Sequence, residues 1–149
     1  MRRLAFVLIT FLGTAALATD GAVEGEESLF RDGTTLTLEE FQWLKRPVVV
    51  FADSPNDPRF RQQMDLLEAE PNQLEIRDVV VLTDTDPNAQ SALREKLRPR
   101  GFMMVLVGKD GIVYLRKPQP WNVRELTRSI DKMPLRQQEV RDRRADPIR

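Results

Sequence analysis

The polar residues of this 149-residue chain best suited to chemistry are Asp53, Ser54, Asn56, Asp57 and Arg59, close together in one stretch, and Arg98 and Arg100 further on. Between them they offer a carboxylate that could accept a proton, guanidinium groups that could clamp an oxyanion, and a hydroxyl that attacks only when a base activates it. Ser54 has no such base: the chain contains no His, and no local pattern brings Lys45 or Lys109 beside it. Asp57 as base with Arg100 as clamp is a conceivable enzymatic pairing, although the spacing is not diagnostic of one. The chain also contains no Cys. Thiol-disulfide exchange needs a thiolate to attack a sulfur, so dithiol oxidoreductase and cysteine peroxidase chemistry are both excluded. The same two absences remove the usual transition-metal ligands, and neither a metal nor a cofactor is expected. Asp84, Asp86, Asn88 and Glu95 fall on calcium-loop positions, but Ala89 stands where the sharp turn needs Gly, and a helix pattern follows. Asp84 and Asp86 are therefore read as turn and cap.

These residues need a scaffold. Val48 to Ala52 is a continuous apolar run, largely β-branched, which predicts a strand buried on both faces of a mostly parallel sheet. After the turn, Asp57 can cap a helix that has Pro58 in its first position, where the missing N–H costs nothing. Phe60, Met64 and Leu67 give that helix its apolar stripe, and it stops before Pro71. A second strand is predicted within Leu74 to Leu82, around Val79 to Leu82. Asp84-Thr-Asp-Pro87 then repeats the Asp-Pro helix start, with Ala89, Ala92, Leu93 and Leu97 facing inward and Arg98-Pro-Arg-Gly101 ending the helix. Phe102 to Val107 and Ile112 to Arg116 flank a Gly-rich turn and predict an antiparallel hairpin. Asn122 with Glu125 caps a final helix striped by Val123, Leu126 and Ile130. Ahead of the first strand, Thr37 and Glu40 have capping-box spacing, and Leu38, Phe41 and Leu44 share a face, so a short N-terminal helix is expected before Pro47. Trp43 and Trp121 are read as packing residues.

The ends carry a different message. Residues 1–18 combine Arg2 and Arg3, an apolar run and small residues spaced Ala16-x-Ala18, which reads as a secretory signal peptide cleaved after Ala18. The apolar run falls short of the roughly 20 residues a membrane span needs, so no span is expected once the signal is removed. Periplasmic or secreted localisation follows. Acidic and basic residues balance at 23 each, and loss of the two arginines leaves the mature chain slightly negative, which gives bulk charge no part in binding nucleic acid. Residues 19–35 are expected to be a flexible N-terminal segment, 36–133 the folded domain, and 134–149 a charged tail of a helical turn or two that fades into disorder.

The order βαβ then ββα is the thioredoxin order, and the chain resembles thioredoxin-like proteins over about residues 40–131. Phe51-Ala52 leads into Asp53-Ser-Pro-Asn-Asp-Pro58 where family members carry a Cys-x-x-Cys turn, and Pro55 and Pro58 fall on the cysteine positions. Arg100-Gly-Phe-Met-Met-Val-Leu-Val-Gly-Lys-Asp-Gly111 resembles the strand that follows the substrate loop, with Met103 at the position of its cis-proline. More narrowly, Trp43 with Arg46-Pro-Val-Val-Val-Phe-Ala52, Val107-Gly-Lys-Asp-Gly111 and Asp131-Lys-Met-Pro-Leu-Arg-Gln-Gln-Glu139 resemble DUF4174, a secreted, cysteine-free domain of unknown function related to domains in extracellular sushi-repeat proteins. The resemblance implies an α/β, thioredoxin-like fold around a four-stranded mixed sheet with an extra N-terminal helix. It also implies that the loops 53–59 and 98–103 meet at one sheet edge, where a helix N-terminus points its free N–H groups. Ser54, Asn56, Asp57, Arg59, Arg98, Arg100 and Met103 are then the candidate binding residues. The expected role is an exported, non-redox binding or protein-interaction module, its partner a periplasmic or extracellular protein or a small anion; the alternative is a cysteine-independent enzyme acting on a small anionic substrate at the same edge.

Overall fold

The structure, a computed structural model, describes residues 28–146. The expected signal peptide lies outside the described residues. Five strands, β1 (Phe30–Asp32), β2 (Arg46–Phe51), β3 (Val79–Asp84), β4 (Met103–Val107) and β5 (Val113–Lys117), form one sheet in the order β1-β3-β2-β4-β5. β1 and β2 run parallel to β3, whereas β2–β4 and β4–β5 are antiparallel. The helices are α1 (Pro58–Glu68), α2 (Pro71–Glu75), α3 (Ala92–Leu97), α4 (Val123–Asp131) and α5 (Pro134–Ala145), with short 3-10 turns at Leu38–Phe41 and Pro87–Ala89. This is the expected βαβ then ββα arrangement.

Both faces of the sheet are covered, which is why its central strands read as unbroken apolar runs. Val48, Val50, Val81, Met104 and Leu106 point to one face, against Leu67 of α1, Leu74 of α2 and Leu126 and Ile130 of α4. Val49, Phe51, Val80, Leu82 and Val105 point to the other, against Leu38, Phe41, Leu93 and Leu97. Each such fully buried aliphatic side chain contributes about 1.5–3 kcal/mol relative to exposure. At the start of α1, Asp57 accepts from Arg59 N at 2.9 Å and Pro58 takes the first helical position.

The structure corrects several expectations. The sheet has five strands rather than four, because residues 30–32 of the supposedly flexible segment add a parallel edge strand. Val81 N donates to Leu29 O at 2.7 Å and Gly33 N to Thr83 O at 2.8 Å. Gly33 then sits so close to β3 and α3 that an added Cβ would lie 2.7 Å from Leu93 Cδ1 and 3.2 Å from Thr83 O. The N-terminal helix is only a 3-10 turn. The chain leaves it through Trp43 at φ +66°, and Trp43 and Leu44, expected to pack, are 64% and 65% exposed. Leu74 lies in α2 rather than in the second strand. Pro87 starts a 3-10 turn, closed by Gln90 at φ +46°, and not α3. α3 begins at Ala92, capped by Ser91, whose Oγ accepts from Arg94 N at 3.2 Å. Ala89 and Ala92 are consequently exposed, while Leu93 and Leu97 are buried.

The largest departure is at the C-terminus. The tail from residue 134 is a three-turn helix, α5, docked on the domain by charge. Arg46, wholly buried at the start of β2, donates from Nη1 to Arg77 O at 2.9 Å and from Nη2 to Glu139 Oε1 of α5 at 3.0 Å. Lys109 Nζ lies 2.8 Å from both Glu139 Oε1 and Asp78 Oδ2. Arg77 holds Asp131 through two 2.9 Å bonds, and buried Arg136 reaches Ile76 O at 3.2 Å.

Candidate functional site

The loops after β2 and before β4 do meet at one edge of the sheet. An added Cβ on Gly101, at φ +59°, would stand 3.9 Å from Arg59 Nη2 and 4.0 Å from Asp53 Oδ2. The Arg59 guanidinium lies over the Phe102 ring, 5.6 Å from its centroid. An open cavity of about 490 Å³ is lined by Asp53, Ser54, Asn56, Asp57, Pro58 and Arg59.

Within that cavity the polar groups are mostly occupied with one another. Ser54 Oγ accepts from Asn56 N at 3.1 Å, and Asp57 N donates to Ser54 O at 3.2 Å, so Ser54 shapes the turn. Asp57 caps α1 and also receives the Arg59 side chain, Nη2 to Oδ2 at 2.9 Å and Nε to Oδ1 at 3.2 Å. The Arg59 side chain and its backbone N–H hold the Asp57 carboxyl below the usual carboxylate range, and Asp57 in turn raises Arg59. An ionised carboxylate of that kind is a weak proton acceptor. It also neutralises the positive helix terminus that an anion would otherwise meet.

The remaining candidates lie on the facing loop. Arg98 ends α3 at φ +48°, and both it and Arg100 are exposed, with no ion-pair partner for their guanidinium groups among the described residues. Met103 is half-buried, its Sδ 3.8 Å from Arg116 Nη1, whereas Met104 is fully buried on the opposite face. The structure thus brings Asp53, Asp57 and Arg59 up to Gly101 and Phe102, and presents Arg98 and Arg100 outward beside them.

Beneath this edge is a buried polar cluster that the candidate set omits. Asp84, at the end of β3, accepts from Ser91 Oγ at 2.5 Å and from Arg94 Nε at 3.0 Å. Arg94 Nη2 also reaches Ala52 O at 2.7 Å and Asp84 O at 3.0 Å, and its guanidinium covers the Phe51 ring at 5.4 Å. Asp84 does act as a turn residue, accepting from Asp86 N at 3.1 Å. Its larger role is to tie the ends of β2 and β3 together through Arg94. The visible sequence signal was Ser91 three residues before Arg94, a cap spacing inside a run read as already helical.

At the other end of the sheet, the loop bearing exposed Trp43 and Leu44 is bonded to the β4–β5 turn: Trp43 N donates to Lys109 O at 2.7 Å. That turn carries exposed Ile112. Among the described residues there is no group of three or more His, Cys, Asp or Glu side chains placed to hold a metal, and no helix long and apolar enough to cross a membrane.

Comparisons with known proteins bear on the family and the fold. The model of the family described as a domain of unknown function, DUF4174, matches residues 37–139. Among solved structures, the reduced 2-Cys peroxiredoxin of Plasmodium vivax is 14% identical with a TM-score of 0.54, covering 68% of this chain and 83% of its own. Plasmodium yoelii Prx1a, modified at its N-terminus, is 16% identical with a TM-score of 0.50, covering 67% and 78% respectively. At such identities the likeness concerns the thioredoxin-like fold and not the reaction.

Proposed function

Because the chain belongs to the DUF4174 family and shares the thioredoxin-like fold without any cysteine, we propose that it is an exported, non-redox binding module that docks a partner protein at the edge formed by residues 53–59 and 98–103. Export rests on the leader at residues 1–18, and is in keeping with the resemblance to domains of extracellular sushi-repeat proteins. The observation that supports binding over catalysis is the division of labour at the edge. Asp57, the carboxylate read as a base, is tied down by Arg59, whereas Arg98 and Arg100 stand exposed and unpaired among the described residues. Cations offered to solvent beside a half-buried Met103 suit a partner with acidic and apolar groups.

The test is site-specific photo-crosslinking in a bacterial host that exports the chain. A photo-reactive residue at position 100 should yield a discrete adduct that disappears on Arg98→Glu, while the same residue at exposed position 61 yields none. Indistinguishable patterns at the two positions would remove this edge as the docking site. Retention of the uncleaved chain in the cytoplasm would refute export. Turnover of a small anionic substrate that is lost in a folded Asp57→Ala variant would favour the enzymatic reading instead.

A further inference from the structure

We propose a second site, in the groove between α5 and the end of α4, that takes a small polyanion carrying two oxyanion groups. The groove encloses about 410 Å³ and its lining includes Arg77, Asp131, Arg136, Val140, Arg141 and Arg144. That volume falls within the roughly 300–1,000 Å³ of small-molecule sites. Four guanidinium groups in this wall meet one carboxylate, and that carboxylate is already engaged: Asp131 receives both 2.9 Å bonds from Arg77.

Of the other three arginines, Arg141 and Arg144 keep donor capacity in reserve, and Arg136 fixes a positive charge in the wall. Arg136 is 6% exposed and fixed in place by Ile76 O, yet its Nε forms no hydrogen bond, with Asp131 Oδ1 standing 3.5 Å away. Its Nη1 is 3.6 Å from Glu139 Oε2, an ion pair without a formed hydrogen bond. Arg141 and Arg144 are exposed and have no ion-pair partner among the described residues. A surface arginine pair is ordinarily a solvated feature. A pair that extends a cavity already walled by a buried, fixed arginine is an anion site, because guanidinium groups recognise oxyanions through paired N–H bonds.

Spacing sets the class of ligand. Residues 136, 140 and 144 recur on one face of α5, so the arginines at its ends are separated by about 12 Å of helical rise, with Arg141 between them and Val140 as an apolar floor. A single monovalent ion would engage only part of that line. Two oxyanion groups on a short spacer, as in a diphosphate or a small polycarboxylate, would engage more of it, with the long exposed side chains of Arg141 and Arg144 reaching in to close the remaining distance. The site lies on the face where α5 docks and shares no residue with the 53–59 and 98–103 edge, so it stands apart from the proposed docking function.

Isothermal titration calorimetry on the full mature chain tests it, with pyrophosphate and citrate as polyanions and orthophosphate as reference, all at matched ionic strength. Pyrophosphate or citrate should bind saturably and about tenfold or more tighter than orthophosphate. Binding by both means that charge and spacing decide; binding by pyrophosphate alone assigns phosphate geometry, and by citrate alone carboxylate geometry. Arg141→Ala/Arg144→Ala should weaken binding about tenfold at an unchanged melting temperature, whereas Arg98→Ala/Arg100→Ala should leave it within about twofold. Absence of saturable heat with either polyanion, or equal loss in both double variants, would overturn the proposal.

Discussion

Replacing Glu139 with Ala is expected to lower stability by about 3 kcal/mol while leaving the fold intact. Arg46 is fully buried and would keep its 2.9 Å bond to Arg77 O but lose its counter-ion at 3.0 Å. Loss of a charge-assisted hydrogen bond costs about 1.5–3 kcal/mol, and stranding a buried charge about 3–5 kcal/mol. The lower end of the second range applies, because the Glu139 side chain is itself 19% exposed and water can enter the vacated space. Lys109 adds little, since it retains Asp78 at 2.8 Å. Urea denaturation followed by far-UV circular dichroism should show a lower midpoint at an unchanged slope. A loss under about 1 kcal/mol would refute the claim that Glu139 compensates a buried charge. The double variant Arg46→Met/Glu139→Leu sharpens the test: two apolar groups need no compensation, so much of the lost stability should return. A double variant no more stable than Glu139→Ala would reassign the contribution to packing.

Acid should destabilise the protein through the same groups. Burial pushes the Glu139 carboxyl up, but the Lys109 and Arg46 contacts outweigh it and hold the group below its usual range; the Arg77 bond does the same for Asp131. Because these folded values lie below the unfolded ones of about 3.9–4.3, the unfolded chain binds more protons in that interval. Their contribution is therefore complete above the unfolded values and disappears as pH falls through the folded ones. Urea midpoints should drop as pH is lowered from about 5 toward 3, and less steeply in Glu139→Ala. Ser91→Ala should cost about 1–2 kcal/mol in the same assay, since it removes both the cap of α3 and a donor to buried Asp84; a change under about 0.5 kcal/mol would mean that Arg94 alone satisfies Asp84.

Legibility in the sequence followed the physics of each element. β2, β3 and β4 announce themselves because both faces are buried, so their residues are apolar without interruption. α1 and α4 do so through Asp57 with Pro58 and Asn122 with Glu125, where cap and stripe agree. β1 is invisible by comparison: Phe30-Arg31-Asp32 has no period of its own, and it is a strand only because β3 offers an edge to pair with. α5 was hidden for a related reason. Its docking contacts are Arg136 and Glu139, and a charged residue reads as solvated until its buried partner, here Arg46, is known. The matched stretches around Arg46, Lys109 and Asp131 to Glu139 now have a physical reason to occur together: they are members of one ion-pair network. At the candidate edge, Ser54, Asn56, Asp57 and Arg59 line the cavity while Arg98, Arg100 and Met103 do not, and the pairing was not legible, since Asp57 bonding to Arg59 rather than to a ligand is a matter of side-chain geometry. Asp84 with Arg94 was missed because Pro87 suggested too early a helix start.

The bond between Arg46 and Glu139 joins residues 93 positions apart, and this bears on the order in which the molecule is made. During synthesis from the N-terminus, the first central strand emerges with an arginine at its head whose counter-ion is still 93 residues from being made. Contacts of such long sequence separation close late and slow the search for the native state. Completion of the sheet is thereby coupled to the docking of α5, and a nascent chain that has not yet reached Glu139 must either leave the head of β2 open to water or bury Arg46 without its counter-ion.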